Sequence, residues 1–183
     1  MKLPRWLFIL LFFAIAPAMA EGPPIVEPGY HQTPFVSDEA EPIQVGFVEI
    51  WNTPQSLEIK VHTTDGWLIS DKLMMFIHHD LDQVPLTKKG GLEIKSLPLE
   101  TKLKEPVDFL EFSFDLQDDL DFNWGMPWED QRLKFVAVYT EAIKVTEDGT
   151  LKKDVWAYGA QILPGSNTAM AVPYPLHHPS KGH

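Results

Sequence analysis

Apolar and polar side chains alternate along much of the chain. In residues 56–63 the apolar Leu57, Ile59 and Val61 are separated by polar residues, and 107–116 repeats the pattern with leucine and phenylalanine. Alternation with a period of two predicts half-buried β-strands. Further runs typical of strands cover residues 43–51, 67–70, 73–79, 133–145, 155–163 and 168–174. After residue 20 no stretch shows a helical period, so the pattern predicts an all-β fold.

Turn sequences separate these runs. Thr64-Asp65-Gly66 follows the strand at 56–63, residues 146–150 contain Asp148-Gly149, and Pro164-Gly165 precedes the last run. Such turns reverse the chain between antiparallel neighbours. Short strands at regular spacing, without helices or an internal repeat, predict an antiparallel β-sandwich of about seven or eight strands, of the Ig-like or jelly-roll type.

The first twenty residues have the pattern of a secretory signal peptide. Lys2 and Arg5 are followed by an apolar run at 6–15 and by Ala18-Met19-Ala20, a small-residue cleavage site. The run is too short to span a bilayer. We therefore expect residues 1–20 to be a signal peptide, 43–175 the β-sandwich domain and 176–183 a flexible tail containing histidines.

Residues 21–42 are rich in proline and show neither a helical nor a strand period. This composition is typical of an extended lead-in. An alternative is that the segment packs on the edge of the domain in a strand-like conformation, through Ile25, Val26, Phe35 and Val36.

Composition limits the compartment and the partners. The chain has 26 acidic against 15 basic residues, a formal net charge of −11 and no cysteine. A field of this sign disfavours nucleic acids and anionic membranes. Without cysteine the mature chain has no disulfide and no lipid-modified cysteine, and it also lacks an Asn-x-Ser/Thr glycosylation sequence. We expect a bacterial protein exported to the periplasm or the exterior, with no membrane insertion after signal cleavage.

Three segments resemble a known sequence pattern. The Gly66-Trp67 pair opens a long apolar strand, and Trp156-Ala157-Tyr158-Gly159 lies in a late strand. With the strand at 134–139, these segments resemble a pattern in uncharacterised exported bacterial β-sandwich domains. The resemblance covers roughly residues 45–174 and implies a fold and an address outside the cytoplasm, with no activity.

The loop at 118–130 concentrates carboxylates and indoles. Oxygens of Asp118, Asp119, Asp121 and Asn123 are of the type that calcium binds, although their spacing departs from the regular calcium loop. Alternatively, Trp124 and Trp128, with Asn123, bind a ligand such as a sugar by stacking. A third interpretation is that Phe122 and the tryptophans cap one end of the sandwich while the acids are solvated.

Histidines form two further candidate metal sites. His177, His178 and His183 in the tail could together bind zinc, copper or nickel, whereas the default for such a terminus is disorder. Met74-Met75 and His78-His79 suggest copper, but alternation places at most one methionine and one histidine on each face of a strand.

Motifs for catalysis are missing. The chain has no Gly-x-Ser-x-Gly elbow, no His-Glu-x-x-His helix and no cysteine nucleophile, and any carboxylate pair for a hydrolase is uninformative among so many acids. The sequence therefore predicts a non-enzymatic binding or structural module with a protein or glycan partner and no required cofactor. A metal-binding protein, with calcium or with copper or zinc, is the alternative, followed by a carboxylate-dependent hydrolase.

Overall fold

A computed structural model describes residues 29–124, 132–163 and 169–178. Within these residues the structure is built from strands, joined by turns and by two short 3₁₀ turns at Leu81–Gln83 and Ile94–Ser96. The strands are β1 His31–Ser37, β2 Gln44–Asn52, β3 Ser56–Thr63, β4 Trp67–His78, β5 Leu99–Lys102, β6 Phe109–Asp115, β7 Leu133–Thr146, β8 Gly149–Ala157, β9 Ala160–Gln161 and β10 Met170–Pro175. The predicted all-β class is confirmed.

The strands form one continuous, curled antiparallel sheet. Its order is β5-β4-β7-β8-β1-β2-β3-β6, and β10 pairs with the first part of β7 where β8 has moved away. The strand pairing does not divide into the two separate sheets of a sandwich, because β8 pairs first with β7 and then, at residues 155–157, with β1. The described strands therefore confirm an all-β, antiparallel fold. They form a single curled sheet, and their pairing does not show the two sheets of the predicted sandwich.

The inner face of the curl encloses the main hydrophobic core. Alternate residues of β2, β3, β4 and β7 point inward and are fully buried, among them Val48, Ile59, Leu73 and Val138. This is the arrangement that the alternation of 56–63 predicts, and β3 begins and ends at the predicted residues. Burial of this apolar surface is the main contribution to the stability of the fold.

The domain begins before Ile43, where the sequence placed its start. Residues 31–37 of the expected lead-in form β1, which pairs with β2 on one side and with β8 on the other. Phe35 and Val36 are buried, as the alternative interpretation of this segment expected. The segment is an interior strand rather than a spacer. Residues 1–28, with the expected signal peptide and with Ile25 and Val26, lie outside the described residues.

The runs at 67–70 and 73–79 join into a single strand, β4. Its pairing with β7 is interrupted between Ile69 and Leu73, where β4 contains extra residues. The hydroxyl of buried Thr140 on β7 donates a hydrogen bond to the carbonyl of Lys72 across this bulge. The predicted turn before β4 is confirmed, since Asp65 and Gly66 have φ of 55° and 77°, the left-handed conformation that a tight hairpin turn requires.

Candidate binding surface

Aspartate carboxylates within residues 115–119 hold the start of the predicted acidic loop, whose residues 125–130 lie outside the described residues. The Oδ1 of Asp115 accepts hydrogen bonds from the backbone amides of Gln117 and Asp118, and the Oδ2 of Asp119 accepts one from the amide of Asp115. Asp121 has a positive φ of 49°. Among the described residues no three histidine, aspartate or glutamate side chains are grouped as for a metal ion, so Asp118, Asp119 and Asp121 are not brought together.

Trp124 lies against the end of the sheet. Its indole Nε1 donates a 2.6 Å hydrogen bond to the carbonyl of Pro54, and its ring meets Phe122 edge-on at 4.8 Å between centroids. With Asn123 it lines a concavity of about 170 Å³, smaller than the several hundred Å³ usual for ligand pockets. Its placement agrees with the interpretation of the loop as an end cap. Trp128 lies outside the described residues.

The tail histidines pack separately. The backbone amide of His177 donates a hydrogen bond to the Oδ1 of Asn52 at 2.8 Å, while the ring of His178 contacts Trp124 at 4.7 Å between centroids. The described part of the tail, through His178, therefore contacts the end of the sheet. His183 lies outside the described residues.

Lys134 is a functional candidate that the sequence did not indicate. It is only 2% exposed, and its ammonium lies 3.4 Å from the carbonyl of Leu120 and 5.6 Å from the ring centroid of Phe122. Burial lowers the pKa of Lys134, and the carboxylate of Asp121 offsets part of that effect. These contacts hold Leu120 and Phe122, at the start of the acidic loop, against the hydrophobic core. Lys134 therefore has a structural role in this arrangement.

The outer side of β1, β2, β3 and β6, here called the open face, is a different kind of surface. The register is unbroken across β2, β3 and β6 and from His31 to Phe35 of β1, so the outward side chains there form straight rows across the sheet. The buried hydrophobic clusters of the described residues lie inside the curl and on the outside of β4 and β7; the second reaches β1 only at Val36, beyond the register shift that follows Phe35. The outward residues are Gln32, Pro34, Phe47, Glu49, Trp51, Glu58, Lys60, His62, Phe109, Glu111 and Ser113, with Tyr30 before β1.

A row of charged and polar groups crosses the middle of the open face. Glu49 is its centre, because its Oε1 accepts a 2.5 Å hydrogen bond from the hydroxyl of Tyr30 and a 3.1 Å bond from the amide of Gln32. Next in the row, the ammonium of Lys60 is 3.2 Å from the carboxylate of Glu111. Burial and the Glu49 carboxylate raise the pKa of Tyr30 to about 12, so this hydroxyl remains a donor at neutral pH.

Aromatic rings flank this row on both sides. On one side Trp51 contacts Tyr30, with ring centroids 6.4 Å apart, and the Lys60 ammonium lies 5.1 Å from the Trp51 ring. On the other side Phe47 contacts His62 at 5.5 Å. Phe47 and Trp51 are four residues apart along the extended strand β2, a spacing of roughly 13 Å. The face thus presents two half-buried aromatic platforms with hydrogen-bonding groups between them.

The sequence contained a signal for this surface in β2. Val48 and Ile50 face the core, whereas Phe47, Glu49 and Trp51 lie on the opposite side of the strand. In a sheet with one solvated side, each strand alternates apolar residues facing the core with polar residues facing water. Aromatic residues on the solvated side are therefore not explained by core packing. Only the register across four strands shows that they form one surface with Tyr30 and His62.

Comparisons with protein-family models, with curated proteins and with solved structures found no match to this chain. Among the described residues there is also no helix of the length and hydropathy needed to cross a membrane.

Proposed function

We propose that the chain is an exported, non-enzymatic binding module that recognises an extended glycan on the open face. The observation that carries the proposal is the pair of aromatic platforms, around Trp51 and around Phe47, on either side of the hydrogen-bonded row centred on Glu49. Export rests on the sequence of residues 1–20. In this proposal the two halves of the curled sheet act as the layers of the predicted sandwich, since both contribute side chains to one core.

The chemistry of the face fits sugar rings. Aromatic side chains bury a flat apolar face while leaving their edges polar, and a pyranose ring has a matching apolar side. Carboxylates and amides held by neighbours, as Glu49 and Gln32 are, accept and donate hydrogen bonds to hydroxyl groups without losing much side-chain entropy. The spacing of the platforms is suited to a ligand of more than one sugar unit.

Charge narrows the glycan class. The chain has a formal net charge of −11, and the open face itself carries Glu49, Glu58 and Glu111 against Lys60. Polyanionic glycans are repelled by such a field, whereas neutral and amino-sugar polymers are not. The carboxylates accept bonds from local donors, with Ser56 and Ser113 both donating to Glu58, an arrangement that orients them as acceptors.

The proposal is tested by sedimentation with two insoluble polymers, cellulose as a neutral glycan and chitin as an amino-sugar glycan. We expect at least one of these polymers to retain the protein and Trp51→Ala to weaken retention about tenfold, because a stacking contact of about 1 kcal/mol or more is lost. Trp124→Ala is the matched control, since it removes the same ring from the predicted loop. Unchanged retention of Trp51→Ala together with loss in Trp124→Ala would reassign binding to the loop, and no retention by any polymer would refute the glycan proposal.

A further inference from the structure

The sheet ends at β6, whose outer edge is unpaired from Phe109 to Ser113, whereas Val107, two residues before β6, is bridged to Ile69 of β4. The backbone amide of Thr63 donates a hydrogen bond to the carbonyl of Asp108, and the amide of Leu116 donates one to the carbonyl of Gln55. In the antiparallel pairing of β3 with β6, the even-numbered residues of β6 are therefore the ones whose backbone groups bond to β3. The backbone N–H and C=O groups of Phe109, Glu111 and Ser113 therefore point away from β3. No strand of the described residues pairs with that side of β6.

The core beneath this edge is incompletely covered. Leu110, Phe112 and Phe114 point inward, yet they are only partly buried, because the facing strand β5 is four residues long. Between β5 and β6 lies a pocket of about 420 Å³, lined by Ile77, Leu99, Phe114 and Leu120, with Ser113 and Asp119 at its rim. A strand added to β6 would place alternate side chains over this opening.

The charge around the edge selects the partner. Residues 108–119 contain Asp108, Glu111, Asp115, Asp118 and Asp119 and no lysine or arginine. Lys60 on β3 is the basic partner of Glu111. An incoming strand with lysine or arginine on its outer side is attracted, and an acidic one is repelled.

A second copy of this chain fits poorly at the same edge. Antiparallel pairing of β6 with itself centred on Glu111 would place two glutamates directly opposite each other, which is destabilising. Pairing centred on Phe112 would place Phe109 opposite Asp115, and this outermost pair at each end would need the outward backbone groups of Asp115. Those groups already bond to the carboxylate and the amide of Asp119.

We propose that the β6 edge is a strand-addition site for an extended polypeptide segment that alternates apolar and basic residues. Its backbone pairs with Phe109, Glu111 and Ser113, its apolar side chains enter the pocket beside Phe114, and its basic side chains lie along Glu111. The site lies at the β6 border of the open face and shares Glu111 with it, but strand addition at this edge does not depend on glycan binding.

Calorimetric titration of the purified protein with the peptide acetyl-Lys-Val-Lys-Val-Lys-Val-Lys-amide tests this site. We expect the peptide to bind. Methylation of the backbone nitrogens of its lysine residues, which lie opposite Glu111 and its outward neighbours, should abolish binding because it removes the N–H donors that pair with β6. A glutamate-valine peptide of the same length is not expected to bind. Equal binding of the methylated peptide, or no binding of the lysine-valine peptide, would overturn the proposal.

Variants locate the site. Ser113→Pro removes an outward N–H from an edge strand, where proline is tolerated, and should weaken binding about tenfold. Glu111→Lys should weaken it as well, whereas Glu147→Lys, the same charge change in the exposed β7–β8 turn, should not. Circular dichroism establishes that each variant is folded. A folded Ser113→Pro with unchanged affinity, or a dimer of the protein that this substitution dissociates, would contradict the assignment.

Discussion

The two outer surfaces of the curled sheet are built from the same kind of strands but are finished differently. Outside β4 and β7, residues 81–97, 162–163 and 169–171 pack over the sheet and bury Met74, Phe76 and Trp156 in a second hydrophobic cluster. On the open face Phe47 and Trp51 are left half-exposed with charged groups between them. Aromatic residues on an outward face thus contribute to stability where other segments cover them, whereas on the open face no described segment packs over Phe47 and Trp51.

The largest effect should come from removing a covered ring. Trp156 is 1% exposed and contacts Tyr139 at 4.9 Å between ring centroids. Trp156→Ala should lower the free energy of unfolding by about 3–5 kcal/mol, measured by urea denaturation, because it leaves a cavity. Trp51→Ala on the open face should cost only about 1 kcal/mol. Equal losses would mean that the open face is as much a part of the core as the covered one.

The next effect concerns alkaline pH. Burial and the Asp154 carboxylate raise the pKa of Tyr139, and burial raises the pKa of Tyr30 and of Tyr174 to about 12 each. Between pH 10 and 12 the unfolded chain loses tyrosine protons that the folded chain keeps, so stability must fall as the pH rises. Denaturation midpoints from pH 8 to pH 12 measure this fall. Tyr30→Phe should make it shallower, and an unchanged slope would refute the assigned pKa of Tyr30.

A smaller effect is expected at the centre of the open face. The hydroxyl of Tyr30 donates to Glu49, and the two side chains should be coupled by about 1 kcal/mol. A double-mutant cycle with Tyr30→Phe and Glu49→Gln measures that coupling. On the covered side the hydroxyl of Tyr139 donates to Asp154 at 2.6 Å, and Tyr139→Phe with Asp154→Asn provides the comparison. Additive effects at Tyr30 and Glu49 would show that Glu49 is not held in place.

The smallest effect should be that of the surface ion pair. The Lys60 and Glu111 side chains are 31% and 49% exposed, so solvent screens their attraction. Glu111→Gln should change the free energy of unfolding by less than about 0.5 kcal/mol in thermal or urea denaturation. A loss above about 1 kcal/mol would indicate that the open face is drier than its exposure suggests.

Local patterns predicted the strands whose two faces differ. β3 was correct at both ends, because Leu57, Ile59 and Val61 face the core and their neighbours face water. β1 was only the alternative interpretation of its segment, because Pro34 and the prolines around it suggested an extended spacer, whereas an interior strand accepts Pro34 here beside the irregular pairing at Phe35 and Val36. β5 was missed because four residues are too few for a period to be recognised.

The candidate site was harder to predict than the fold. Sequence reasoning favoured the loop that contains Trp124, since acids and indoles are concentrated there. The open face brings together Tyr30, Glu49, Lys60 and Glu111, which are spread along the chain and become neighbours only through strand register. Alternation with a period of two residues shows on which side of a strand a side chain lies, but it does not show which strands are neighbours in the sheet.

The position of β1 between β2 and β8 has a consequence for the order of folding. Pro34 and Tyr158 are joined by a backbone hydrogen bond, and the hydroxyl of Thr33 donates to the carbonyl of Tyr158 across 125 residues of sequence. Pairing over such a separation carries a large loop-closure entropy and slows folding. The sheet becomes continuous only after β8 has been synthesised, so a growing chain keeps its first strand unpaired on that side until nearly all of the domain has emerged.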